Sequence, residues 1–234
     1  MQLNIMLIIV AVCLRCTLDH SHVANGRSMP ERVVACIGAK GGVGKSTIAI
    51  SLSVCATDCL LVDTDPQLSA GNWYREREAE LPELVKARAG DVPKAIAATK
   101  RRHVIIDTPP HASEAIQMVA ALADQLLIIV QPSILDLRAI SSSVEIAKAV
   151  RKPAVLILNR CPPVRGTAEA SIVTEARRAL SVYQIPVCPV AVTQRAAMSY
   201  ALVGGLSITE YEPDGKAANE VRRLWSYLCR SDLS

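Results

Sequence analysis

A glycine-rich turn between an aliphatic run and a helix-length stretch constrains this chain more than any other feature. Val33 to Ile37 is uninterruptedly apolar, Gly38, Gly41, Gly42 and Gly44 follow, and Lys45-Ser46-Thr47 opens the next stretch. A strand, a glycine loop and a helix start focus backbone N–H groups and the positive end of a helix dipole on one point, which suits a polyphosphate. In such a loop Lys45 reaches the β and γ phosphates and the Ser46 hydroxyl ligates Mg²⁺. Gly41, Gly42, Val43, Gly44, Lys45, Ser46 and Thr47 are therefore the candidate nucleotide-binding residues. The general pattern G-x-x-x-x-G-K-[ST] fails at one place, where Ala39 stands in for its first glycine.

Short aliphatic runs recur along the rest of the chain: Leu60–Asp63, Val104–Asp107, Leu126–Val130, Ala154–Leu158 and, more weakly, Val187–Val192. Between them lie helix-length stretches over Ser46–Ala56, Ser69–Glu80, Val92–Lys100, Ala112–Ala123, Asp136–Val150, Thr167–Ser181, Arg195–Val203 and Lys216–Cys229. Alternation of this kind predicts a doubly wound α/β domain, a mostly parallel sheet with helices on both faces. Half the residues are apolar, yet Phe is absent and there are only 2 Trp and 5 Tyr, so the core must be aliphatic. Buried parallel strands have that composition.

In such sheets the reactive loops leave the carboxyl ends of the strands. Three runs end in polar groups of one kind: Ile37 in the glycine loop, Val62 in Asp63-Thr64-Asp65-Pro66-Gln67, and Ile106 in Asp107-Thr108-Pro109-Pro110. Their convergence is the main pointer to function.

With those residues in view, Lys40-Gly41-Gly42-Val43-Gly44-Lys45-Ser46-Thr47 resembles the deviant Walker A loop of the ParA/MinD ATPases, a class of P-loop NTPase that tolerates loss of the first glycine. The resemblance spans residues 33 to about 228. Its implications are specific. Lys40 would cross to a partner subunit's phosphates, so that two chains enclose two ATP molecules. Asp65 would orient the attacking water, Asp63 would support the Mg²⁺ shell, and Asp107 would hold the ion through water. Asn159, with Arg160 beside it, stands where the family contacts adenine. Asp63 to Trp73, Pro132 to Asp136 and Val192-Thr193-Gln194-Arg195 look most like the small plasmid-partition subgroup that lacks a helix-turn-helix. The stretch from Lys45 to Asp63 is about one turn shorter than the family pattern, which implies a shortened first helix.

The resemblance implies a partner-stimulated ATPase that dimerises on ATP, binds DNA without sequence preference, and meets a ParB-like or cargo-adaptor protein. DNA partition is the leading expectation. Positioning of a protein cargo, or a MinD-like membrane-associated switch, is the alternative. An electron carrier of the nitrogenase-reductase kind would need cysteines after Asp107, and none occurs up to Gln131. The formal charge of +4 permits contact with nucleic acid without requiring it. Arg195, Lys216, Arg222 and Arg223 are the candidate DNA contacts. Val221, Leu224, Trp225 and Leu228 share one helical face, read as packing on the sheet rather than lying in a membrane. The expected location is the nucleoid in the cytoplasm.

Leu3 to Leu14 is nearly all apolar but too short for a bilayer-spanning helix of about 20 residues. Residues 1–29 are read as an extension or an over-called start and 30–234 as the ATPase domain. Eight cysteines are scattered, without a disulfide framework, and Cys13, Cys16, His20 and His22 only loosely imitate metal-ligand spacing.

Overall fold

The structure is a computed structural model that describes residues 29–110, 114–164 and 169–230. The N-terminal stretch with Cys13, Cys16, His20 and His22 lies outside the described residues, as do Ala112 and Thr167, the starts of two expected helices. Six strands, β1 (Arg32–Ile37), β2 (Cys59–Asp63), β3 (Glu83–Lys86), β4 (His103–Asp107), β5 (Gln125–Val130) and β6 (Ala154–Leu158), form one sheet in the order β3-β2-β4-β1-β5-β6. Every pairing in it is parallel. The helices are α1 (Lys45–Cys55), α2 (Ser69–Arg75), α3 (Val92–Ala98), α4 (Glu114–Leu122), α5 (Ile134–Ala139), α6 (Ser141–Val150), α7 (Ser171–Leu180), α8 (Ala196–Val203), α9 (Ile208–Tyr211) and α10 (Lys216–Arg230).

Alternate residues of each central strand enter opposite cores, as the period of a strand requires. Val33, Ala35, Ile37, Val104 and Ile106 face α3, α4, α6 and α7, whereas Val34, Cys36, Leu61 and Ile105 face α1, α2 and α8 to α10. The first helix runs 11 residues with Ile48, Ala49 and Leu52 fully buried, so it packs into the core. Val221, Leu224 and Leu228 of α10 are buried against the sheet, and Trp225 is partly buried with its ring edge-on to His103. That apolar face is occupied by the core. No described helix is long and apolar enough to cross a membrane.

Three expectations need correction, and one strand has no counterpart among them. The helix expected over Ser69–Glu80 stops at Arg75, because Arg77 turns inward to bury its guanidinium. The chain then enters β3, an edge strand whose half-exposed Glu83-Leu84-Val85-Lys86 gives no aliphatic run. The helix expected over Asp136–Val150 begins at an N-cap, Ser133, and breaks at Ile140 into α5 and α6. Val187–Val192 forms no strand; Pro189 removes a ladder donor within it, and only isolated bridges at Val187 and Thr193 remain. The described cysteines are all free, Cys36, Cys59, Cys161 and Cys188 being buried as small apolar groups.

Candidate functional site

Strand register sets the site. Cys36 and Asp63 both stand level with Asp107, so the ends of β1, β2 and β4 meet along one edge of the sheet. Two hydroxyls tie those ends: Thr108 Oγ1 donates to Cys36 O at 2.8 Å and Thr64 Oγ1 to Asp107 O at 2.7 Å.

The glycine loop closes over this edge. Gly42 and Gly44 have φ of 78° and 92°, a region open to glycine at no steric cost. At Gly44 space is also limiting, since a Cβ there would lie 2.3 Å from Asn159 Nδ2. That amide donates to Val43 O at 2.7 Å, and Gln131 Nε2 donates to Gly42 O at 3.0 Å. The ends of β6 and β5 thus brace the loop from outside. α1 starts at Lys45 with no acidic residue in its first turn, leaving its N–H groups and dipole for an anion. Lys45 is 6% exposed and its Nζ donates to Lys40 O at 2.9 Å. Burial lowers its pKa, opposed by the charges of Asp107 and Asp65.

The three aspartates differ in environment. Asp63 accepts from the Asp65 and Gly71 amides at 3.1 and 2.8 Å, tying the following loop to the strand end. Asp65 is 8% exposed and accepts from the Gln67 amide at 2.9 Å. Asp107 is fully buried, and neither of its oxygens meets a hydrogen-bond partner in bonding geometry. Burial pushes its pKa up to about 7, although the nearby Ser46 hydroxyl and Lys45 ammonium pull the other way. An orphaned buried carboxylate beside a serine hydroxyl is chemically suited to a hard divalent cation such as Mg²⁺. Among the described residues no group of three or more His, Cys, Asp or Glu is arranged to hold a metal ion.

Asp107 carries a pH signature. Its folded pKa lies above the ordinary carboxyl value of about 4, so its contribution to stability is fully present below that value and lost as pH rises through about 7. Asp107→Asn removes this titration. The melting temperature of the nucleotide-free Asp107→Asn protein should exceed that of the wild type by a margin that widens from pH 5 to pH 8. A constant margin would show that the carboxyl does not titrate there.

Lys40 is near the loop surface, its Nζ 3.4 Å from Asp136 Oδ1 of α5. A cleft of about 700 Å³ opens beside the loop, with Asp65, Gln67, Trp73, Arg160, Leu202 and Val203 among its walls. Asn159, expected at the adenine, is 4% exposed and braces the loop instead of facing open solvent. Of the candidate DNA contacts, Arg195 is held by both oxygens of Glu220 at 2.7 and 2.8 Å, and Arg222 donates to the Pro213 and Thr209 carbonyls. Lys216 opens α10 and Arg223 is exposed. Sequence reasoning missed Gln131 and, of the cleft walls, Trp73, Leu202 and Val203. Gln131 had a signal, a polar residue ending an aliphatic strand; the other three had none.

Comparison with known proteins agrees with this geometry. Residues 34–203 match the family model described as the CobQ/CobB/MinD/ParA nucleotide binding domain. The "Maintenance of carboxysome distribution protein A" of Halothiobacillus neapolitanus is 31% identical over 200 residues, 79% of this chain and 90% of the relative. The protein of the same name from Gloeobacter kilaueensis is 34% identical over 201 residues, covering 81% and 88%. An ATP complex of Cyanothece McdA shares the fold at a TM-score of 0.69 and 17% identity, covering 88% of this chain and all of that one. A parallel sheet, a loop that departs from the general pattern at Ala39, and similarity along most of the chain lead to one assignment: this protein is a member of the ParA/MinD family of nucleotide-binding ATPase domains.

Proposed function

We propose that this chain is an ATP-driven dimerising switch that positions a protein cargo, using DNA as the surface on which the ATP dimer is held. The observation that carries this reading is the extent of the similarity: two relatives named for carboxysome distribution are matched over 90% and 88% of their own lengths. Partition of DNA itself, the leading expectation from sequence, becomes the second reading.

The site supports a mechanism of positioning and charge compensation, which is how proteins catalyse phosphoryl transfer. The glycine loop, the Lys45 ammonium and the start of α1 neutralise the triphosphate. Ser46 and Asp107 would hold Mg²⁺, with Asp63 shaping the adjacent loop, and the ion would supply charge neutralisation to the phosphates. Asp65, fixed through the Gln67 amide, orients water for attack. Lys40 leaves Asp136 to reach the partner's nucleotide, so hydrolysis waits for dimerisation. An adaptor protein then stimulates hydrolysis and release.

For DNA, one expected residue, Arg223, and a neighbour not among the expected contacts, Arg230, support the reading. Arg195 and Arg222 already satisfy internal acceptors, whereas Arg223 and Arg230 flank a groove with Ser226 and Tyr227 on the outer face of α10. Neither pairs with a described carboxylate. Phosphate contacts from them would make binding fall steeply with salt. In a strain lacking the gene, labelled protein assemblies should collapse into clusters while plasmid retention stays normal. Wild-type protein should restore their spacing and the Arg223→Ala/Arg230→Ala double variant should not. Plasmid loss with assemblies still evenly spaced would overturn the cargo reading in favour of partition.

A further inference from the structure

Arg77 has no part in the nucleotide site, yet it is the most fully bonded cation among the described residues. Its side chain is 2% exposed. Nε and Nη2 donate to Leu81 O, Nη1 donates to Gly205 O at 3.0 Å, and the two Nη atoms grip the Glu210 carboxylate at 2.9 and 2.7 Å. All five guanidinium hydrogens are therefore used. The guanidinium also lies 5.0 Å from the centre of the Trp73 ring, and Trp73 Nε1 donates to Leu206 O at 3.1 Å. The backbones themselves touch here: Gly205, with φ of 68°, packs so closely that a Cβ would lie 2.3 Å from Glu76 O.

These contacts join two bodies that bear on different tasks. On one side is α2, which continues from Asp65 and Gln67 and forms a wall of the cleft. On the other is the segment from Gly204 to Tyr211. Glu210 also accepts from the Ser207 amide at 2.8 Å, completing the capping box that starts α9. Arg222 of α10 in turn holds carbonyls at Thr209 and Pro213. The bonded chain runs from the Asp65 loop through α2, Arg77 and Glu210 to α9 and α10.

We infer that the Arg77–Glu210 clasp is a positioning device that transmits occupancy of the nucleotide cleft through α9 to α10, the helix that carries Arg223 and Arg230 of the outer basic groove. This rests on the reading of that groove as the working surface of the switch. The physical basis is a difference in contacts: a triphosphate that draws the Asp65–Gln67 loop toward it moves α2, and a bidentate clasp with a buried guanidinium and a partly exposed carboxylate resists separation of α2 from α9. An ordinary strut would contribute stability alone. A relay changes what ATP does at a distance, which is a coupling between sites.

The test is hydrogen exchange of the full chain with and without Mg–ATP. In the wild type, amides of residues 204–230 should exchange at least about fivefold more slowly with ATP, the lower end of typical site-to-site coupling. Arg77→Met and Glu210→Gln should each keep ATP affinity within about threefold and lose that response, and the double variant should lose no more than either one, as expected for partners in one interaction. Glu210→Gln keeps an acceptor for the Ser207 amide, so it carries the test if Arg77→Met fails to fold. A folded variant that retains the ATP-dependent protection would overturn the relay, as would a wild type protected at the cleft but unchanged over 204–230. A wild type with the full exchange response but no salt-sensitive DNA binding would instead remove the groove assignment and leave the relay standing.

Discussion

Lys40→Ala should bind ATP within a few-fold of the wild type, remain monomeric, and lose partner-stimulated hydrolysis by about 10³-fold or more. The size follows from the role: a cation supplied across a subunit interface to a transferring phosphoryl group is worth roughly 10³ to 10⁵ in rate. The selectivity follows from the structure. Lys40 contributes its backbone carbonyl to Lys45, which alanine preserves, while its side chain is 37% exposed and turned to Asp136. Sedimentation velocity with a slowly hydrolysed ATP analogue reads the outcome, and a stable dimer from this variant would sink the assignment of Lys40 to the partner's site.

Asp65→Ala should produce the opposite phenotype, a dimer that forms on ATP and does not come apart. Loss of a correctly placed acceptor for the attacking water is expected to slow hydrolysis by about 10²- to 10⁴-fold. Phosphate binding would be largely spared, because the glycine loop is braced by Asn159 and Gln131 and not by Asp65. The same sedimentation experiment, followed after unbound ATP is removed, should show a dimer persisting far longer than that of the wild type. Prompt dissociation with normal phosphate release would place the water-orienting group elsewhere. Together the two variants separate forming the dimer from ending it.

Asp63 illustrates how far residue type alone could be read. The family resemblance implied that it supports the Mg²⁺ shell, and it does lie level with Asp107. Both of its oxygens, however, accept backbone amides, at Asp65 and Gly71. An ionised acceptor fixing two amides shapes the Asp65 loop whether or not an ion lies nearby. The DNA candidates show the same limit. Arg195 was as plausible as Arg223 by position, but Glu220, distant in sequence, occupies it.

The sequence by itself determined the sheet's central strands, the glycine loop and the three aspartates, because each depends on short-range physics. A buried parallel strand demands a continuous aliphatic run, a tight phosphate loop demands glycine where φ is positive, and a strand end places its next residue at the edge of the sheet. Tertiary structure alone decided which polar groups meet. It set Lys40 against Asp136, Asn159 against Val43, and Arg77 against Glu210, pairs separated by 96, 116 and 133 residues. It also made a strand of Glu83–Lys86, whose only signal is pairing with β2. Such contacts leave no periodic trace, since a buried charge needs one partner in the right place and any distant segment that packing brings there can supply it.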